Sequence, residues 1–337
     1  MRILVRAANW IGDAVMSLPA VRVIRGRFPD AAIHVLARPW VAALYEREGS
    51  IDDIIVLEGK PGFRDLRQKW RAVRRLRGER YDVAVLLPNS FESATVAWLA
   101  GITERIGYAR DGRSPLLTIA PLPPKRGEIP RHERYYYLEL LRRAEMIPSL
   151  PEVPEIRFDR IDEASARGKQ LFKAEGCDRA VIGVSPGAAY GGAKRWPAER
   201  FAEAAAHLAR DWGASIAVFG SAAEHDLCEA VAGATSGVNF AGRTSLRDFI
   251  DMTAACRLFL TNDSGAMHIA SASGVPTITV FGPTDEDATG PTGSKAIVVR
   301  KPVECAPCLL RECPIDHRCL TGITAEDVVQ AIRSRPE

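Results

Sequence analysis

No stretch of this 337-residue chain holds the roughly 20 consecutive apolar residues that a bilayer-crossing helix needs. A protein built on transmembrane helices is therefore excluded. The opening residues, Met1 to Arg6, run directly into a strand pattern without the apolar segment and cleavage site of a secretory leader, so a soluble, cytoplasmic protein is expected. The arginines come without an aromatic stacking motif or a nucleic-acid reading module, which counts against a nucleic-acid partner. Cys305-x2-Cys308 is not followed by a second C-x2-C: Cys313 and Cys319 are spaced more widely, with His317 between them. That spacing weakens a zinc reading, and a reducing cytoplasm argues against disulfides. A reduced, packed Cys-rich loop is favoured over a metal held by Cys305, Cys308, Cys313 and Cys319. Cys177, Cys228 and Cys256 sit singly in core-forming segments and read as small buried hydrophobes.

What is present is ample apolar material, 47% of residues, and a charge asymmetry. The net +3 hides 27 Lys and Arg against 20 Asp and Glu in residues 1–160, a surplus of seven, with a deficit of four in the remainder. Residues 60–80 concentrate Arg64, Arg67, Lys69, Arg71, Arg74, Arg75 and Arg77. A basic first half implies an anionic partner there.

The length exceeds one comfortable core and implies two domains, read as 1–155 and 156–337 across a proline-spaced linker near 148–154. Both halves alternate strand and helix. Strand patterns begin at Ile3, Ile33, Ile54 and Val83, then again at Val181, Ser215, Val238, Leu258 and Thr277; a single amphipathic helix is expected over 13–28. Pro197 suits the first turn of a helix, Ser245 and Thr324 suit helix caps, and the closing helix over 324–334 is a candidate to pack back on the first domain. The class is α/β: two doubly wound, mainly parallel sheets with a cleft at their strand ends.

Three features carry chemistry. Thr261-Asn262-Asp263-Ser264-Gly265 ends a buried strand and opens a helix that contains His268, so unpaired N–H groups and a helix dipole face an anion. The loop 187–196 holds Gly187, Gly191 and Gly192 and ends in Lys194 and Arg195; its glycines suit close approach to a ligand, although it is neither of the common glycine-rich phosphate motifs. Together these parts put Lys194 and a helix N-terminus on opposite sides of one anionic ligand. His268 reads equally as a ligand-facing or a structural residue. Ser221 and Glu224 follow another strand end, where a carboxylate suits ribose hydroxyls or a plain helix start. Asn9-Trp10-Ile11-Gly12-Asp13 follows the first strand, and Asp13 reads as a helix cap or as a base for an acceptor hydroxyl.

These motifs, in order, together with Leu86-Leu87-Pro88-Asn89-Ser90-Phe91, Gly101-Ile102-Thr103-Glu104-Arg105-Ile106-Gly107, Ala193-Lys194-Arg195-Trp196-Pro197 and the Cys-x-Pro-Cys, Cys313-Pro314 and His317-x-Cys319 elements, resemble the bacterial ADP-heptose:lipopolysaccharide heptosyltransferases of glycosyltransferase family 9. The likeness is greatest to the heptosyltransferase II type and covers nearly the whole chain. It implies a GT-B fold of two Rossmann-like domains facing a central cleft. It also implies an inverting, metal-independent transfer of L-glycero-D-manno-heptose from ADP-heptose to the inner-core heptose of a lipopolysaccharide precursor, with no cofactor. By the same resemblance Asp13 is the general base. Lys194, Asp263, Ser264, Gly265, His268, Ser185, Gly187, Ser221 and Glu224 bind the donor, whereas Asn9, Trp10, Asn89, Ser90, Arg64 and Arg134 face the acceptor. Peripheral contact with the inner membrane surface is the further partner implied. The competing readings are a family member with another donor or acceptor, a nucleotide-sugar epimerase, and a zinc-containing nucleic-acid-binding protein.

Overall fold

The computed structural model describes residues 1–62 and 64–334, which form two compact units, Met1–Val153 and Pro154–Glu337. In the first, strands β1 (Arg2–Arg6), β2 (Ala32–Ala37), β3 (Asp53–Val56), β4 (Val83–Leu86) and β5 (Glu104–Ile106) form one parallel sheet in the order β3-β2-β1-β4-β5. The central strands are short apolar runs because helices cover both faces: Leu4, Leu36 and Leu86 pack on one side against Val73, Leu76, Val96 and Ala97. Burying one such side chain contributes about 1.5–3 kcal/mol.

The chain reverses its order of travel at β1, which has β2 on one side and β4 on the other. In open α/β sheets the crevice beyond such a switch point is where ligands bind, and the loops leaving β1 and β4 line it. The helix expected over 13–28 is two helices, Ile11–Met16 and Leu18–Arg27. Pro19 has no N–H to give to the carbonyl of Val15, and the chain restarts at Ser17, whose hydroxyl instead donates to the Ala14 carbonyl at 2.8 Å.

The second unit repeats the scheme with β6 (Val181–Ser185), β7 (Ser215–Val218), β8 (Val238–Asn239), β9 (Leu258–Asn262), β10 (Thr277–Val280) and β11 (Ala296–Val299), all parallel, in the order β11-β10-β9-β6-β7-β8. Its switch point lies between β6 and β9. Ser245 and Thr324 cap their helices as expected, accepting from the amides of Asp248 and Asp327 at 3.1 Å each. Pro197 stands one place earlier than expected, as the N-cap of Ala198–Trp212.

The closing helix is Ala325–Arg333. It is an element of the second unit: Val328 and Val329 join the core formed by Phe201, Leu208 and Val280, and Arg333 pairs with Asp211 at 2.7 Å. Cys177, Cys228 and Cys256 are buried in the cores of this unit. Among the described residues, no helix is long and apolar enough to cross a membrane.

Candidate active site

In the first unit the loop after β1 is fastened from beneath. The buried Arg6 guanidinium donates to the carbonyls of Ala7 (2.5 Å) and Leu36 (3.2 Å) and to Asn9 Oδ1 (2.6 Å). Trp40 Nε1 holds the Asn9 carbonyl at 2.8 Å. Burial, and then the neighbouring Arg38, push the Arg6 guanidinium down to about 10. The Asn9 side chain therefore fixes its own loop, while Trp10 projects into solvent, 55% exposed.

Asp13 stands in the first turn of Ile11–Met16, three residues after Trp10, which holds the N-cap position. Asp13 is thus a first-turn acid and not the N-cap residue itself. Asp13 lies near Glu133 and Tyr137 at the start of the helix Arg134–Arg143; burial first, and the charge of Asp13 second, raise the Glu133 carboxyl above its ordinary range.

The loop after β4 carries Asn89 and Ser90. The buried Arg113 guanidinium gathers this loop, donating to the Pro88 carbonyl, to Ser93 Oγ (3.1 Å) and to Asn89 Oδ1 (3.2 Å), while Asn89 Nδ2 donates to the Tyr136 hydroxyl (2.8 Å). Ser90 caps the helix Phe91–Leu99, accepting from the Ser93 amide at 3.3 Å.

Arg64 is exposed just before the helix Leu66–Glu79, and the Arg134 guanidinium lies 5.0 Å from the Tyr135 ring centre. No described contact joins Arg64 to Arg134 or to Asp13. The basic run is partly structural. Lys69 is buried and donates to the carbonyls of Lys60 (2.8 Å) and Arg64 (2.7 Å), and Arg77 donates to that of Leu99 (2.6 Å).

In the second unit the loops after β6 and β9 meet at the switch point. Asn262, wholly buried, stitches them together: its Oδ1 accepts from the Trp196 amide (3.0 Å) and its Nδ2 donates to the Pro186 carbonyl (2.7 Å). This places Lys194 Nζ 2.5 Å from Asp263 Oδ2, which also accepts from the Thr284 hydroxyl at 2.5 Å. The sequence set Lys194 across a ligand from a helix N-terminus; in the fold Lys194 forms an ion pair with Asp263, two residues before that helix begins. The Lys194 ammonium also lies 4.8 Å from the Tyr190 ring centre.

Ser264 occupies the N-cap position of Gly265–Ala272, yet its hydroxyl makes no capping bond and lies 3.3 Å from Thr261 Oγ1. Ser264 therefore leaves the partial positive charge of that helix end unquenched. His268 is buried within the helix, and Ser185 is buried at the end of β6.

Glu224 combines two roles. Its Oε2 accepts from the Ser221 amide (2.9 Å) and hydroxyl (2.8 Å), closing a capping box, while Oε1 lies 4.0 Å from Arg195. A Cβ on Gly187 would sit 2.1 Å from that Oε1, so the glycine makes room for the carboxylate. Gly191 and Gly192 are likewise covered by protein, the segment at Arg311 and Glu312, so they do not lie open for ligand as the sequence suggested. All seven cysteines are free thiols, and among the described residues no group of three or more His, Cys, Asp or Glu side chains is gathered as metal ligands, the Cys305 to Cys319 set included.

Sequence reasoning missed Thr284, Arg6, Arg113 and Glu133. Each of the first three makes a contact 21 to 30 residues distant in the chain, which no local pattern marks.

Residues 69–318 match the profile of glycosyltransferase family 9 (heptosyltransferase). The chain is 34% identical to lipopolysaccharide heptosyltransferase 2 of Escherichia coli K12, with 89% of this chain and 88% of that one covered. The solved structure of Escherichia coli ADP-heptose LPS heptosyltransferase II matches with a TM-score of 0.82 and 30% identity over 99% of this chain and 98% of that one. A family 9 glycosyl transferase from Veillonella parvula shares the fold, with a TM-score of 0.84 at 22% identity, over 99% and 96% of the two chains.

Proposed function

The chain belongs to glycosyltransferase family 9, the heptosyltransferases, and from that premise we propose that it is a heptosyltransferase II acting on the lipopolysaccharide core. On this reading L-glycero-D-manno-heptose passes from ADP-heptose to the inner-core heptose of a lipopolysaccharide precursor, with inversion and without a cofactor or divalent metal. The observation that carries it is the Lys194–Asp263–Thr284 contact at the switch point of the second sheet, a cation locked in place at a strand end beside an uncapped helix N-terminus.

As the bond between the anomeric carbon and the phosphate oxygen breaks, its electron pair leaves with ADP. Lys194 and the amino end of Gly265–Ala272 are the groups that stabilise this growing charge. The acceptor oxygen forms the new bond to the anomeric carbon and gives its proton to Asp13, a role worth roughly 10² to 10⁴ in rate. What supports that role is the place of Asp13, an acid in the first helical turn after β1, at the strand end where this sheet's crevice opens. Asp263 supports the metal-independent reading in that its Oδ2 is already held by Lys194 and Thr284. Glu224 Oε1 is the oxygen outside the capping box and is assigned to the ribose. Trp10 and Arg64, both exposed, are assigned to the acceptor, with Asn9, Asn89, Ser90 and Arg134 shaping its loops. A cytoplasmic enzyme in peripheral contact with the inner membrane suits such an acceptor.

The test is to incubate the protein with ADP-heptose and defined core acceptors and to follow ADP. Release that depends on a heptosylated inner-core acceptor is expected. Release that requires a different core acceptor assigns another member of the family, and no release with any acceptor overturns the proposal.

A further inference from the structure

The segment that carries Cys305, Cys308 and Cys313 lies directly on the loop that holds Lys194. The Ala193 amide donates to the Arg311 carbonyl (2.9 Å), the Gly192 amide to Glu312 Oε1 (3.1 Å), and the Tyr190 hydroxyl to the Leu309 carbonyl (2.9 Å). Two glycines are required for this approach. A Cβ on Gly191 would lie 2.2 Å from the Arg311 carbonyl oxygen, and one on Gly192 would lie 2.6 Å from Glu312 Oε2. On its other side the Leu309 amide donates to the Pro283 carbonyl at 2.9 Å, one residue from the Thr284 that holds Asp263. The backbone at 309–312 is thus pinned to both halves of the Lys194–Asp263 contact.

That pinning fixes the root of one exposed cation. The Arg311 guanidinium lies 5.2 Å from the centre of the Tyr190 ring, the same ring that the Lys194 ammonium approaches at 4.8 Å. Lys194 has its charge offset by Asp263, and Arg195 faces Glu224. Arg311 makes no salt bridge or side-chain hydrogen bond among the described residues; the acid beside it, Glu312, turns one oxygen to the Gly192 amide. A nucleoside diphosphate brings more than one negative charge, whereas the Lys194–Asp263 pair has little net charge to meet it. A guanidinium is matched to phosphate oxygens by its planar fork of donors.

We propose that Arg311 is a second diphosphate-binding cation of the donor site, swinging from the Tyr190 ring onto the phosphates of a bound nucleoside diphosphate. The assignment rests on the donor-site reading given above. It extends the site to the segment of Cys305, Cys308 and Cys313, which on this assignment serves to carry Arg311 to the ligand.

The experiment is a calorimetric titration of ADP, AMP and adenosine into the parent protein, Arg311→Ala, Arg311→Gln and Arg311→Lys, with thermal unfolding of each. Loss of one charged contact is expected to weaken ADP about tenfold or more in the Ala and Gln variants. Adenosine should be unaffected, AMP should weaken less than ADP, and Lys should recover part of the loss. The Gln variant keeps a planar group for Tyr190 and so separates charge from packing. ADP affinity within about twofold of the parent in the Ala and Gln variants overturns the inference, as does equal weakening of all three ligands. A parent that binds no ADP overturns the donor-site reading and this inference with it.

Discussion

The Lys194 ammonium sits 2.5 Å from the Asp263 carboxylate, and that carboxylate is held in turn by the Thr284 hydroxyl. Asp263 therefore aims Lys194 while offsetting its charge. Replacing Lys194 with Ala should lower kcat by roughly 10² to 10³ by removing a stabiliser of the departing diphosphate. Asp263→Asn retains hydrogen-bonding capacity but releases the Lys194 charge, so its affinity for ADP should at least equal the parent's. Steady-state ADP release and calorimetry read the two effects; weaker ADP binding in Asp263→Asn would assign that carboxylate to direct ligand contact.

Asn262 is the stitch between the loops after β6 and β9. Asn262→Ala leaves the Trp196 amide and the Pro186 carbonyl without their partner inside the fold, a loss of about 2–4 kcal/mol. Denaturant unfolding should show that loss, and kinetics should show a raised KM for donor with the acceptor KM unchanged. Equal rises in both constants would mean that the damage is general.

Glu133 links the site to pH. Burial and the nearby Asp13 raise its carboxyl above the ordinary 4.5, so the native state retains a proton that the unfolded chain has released. Its contribution to stability is therefore greatest at and below that ordinary value and is lost as pH rises through the folded value. Melting temperatures measured upward from pH 4.5 should fall more steeply in the parent than in Glu133→Gln; parallel curves would rule out this titration.

Gly168, in the helix Ile161–Ala174, offers a check on the packing of the second unit. Within an exposed helix a Gly to Ala change stabilises by about 1 kcal/mol. Here a Cβ would lie 1.9 Å from the Asp251 carbonyl oxygen of the helix Leu246–Ala254, so Gly168→Ala should destabilise by about 1–3 kcal/mol. A rise in melting temperature would show that the two helices are not held this closely.

Much of the fold was written in local pattern. Alternating apolar runs and capping residues announced both parallel sheets and the caps at Ser245 and Thr324, because strand burial and N-cap chemistry are set by neighbours in the chain. The break at Ser17 was also local, since Pro19 marks it, yet the periodicity across 13–28 masked the proline. What stayed hidden depends on distant contacts. Gly191 and Gly192 are glycines because Arg311 and Glu312 press on them, more than a hundred residues later in the chain. Thr284 reaches Asp263 only once β10 lies beside β9. The edge strand β11 is an apolar, β-branched run of four residues, but its place beside β10 is a pairing between distant segments that no local pattern gives. For the candidate site, spacing marked Lys194 and Asp263 but not that they pair, because side-chain direction at the two loop ends is set by Asn262.

The most direct measurement compares the parent with Asp13→Asn for acceptor-dependent ADP release from ADP-heptose, together with calorimetric ADP binding. The expected result is turnover reduced by roughly 10² to 10⁴ with ADP affinity unchanged, since on the proposed mechanism the variant loses only the group that takes the acceptor proton. Turnover near the parent's in Asp13→Asn would contradict the assignment of that carboxylate as the base.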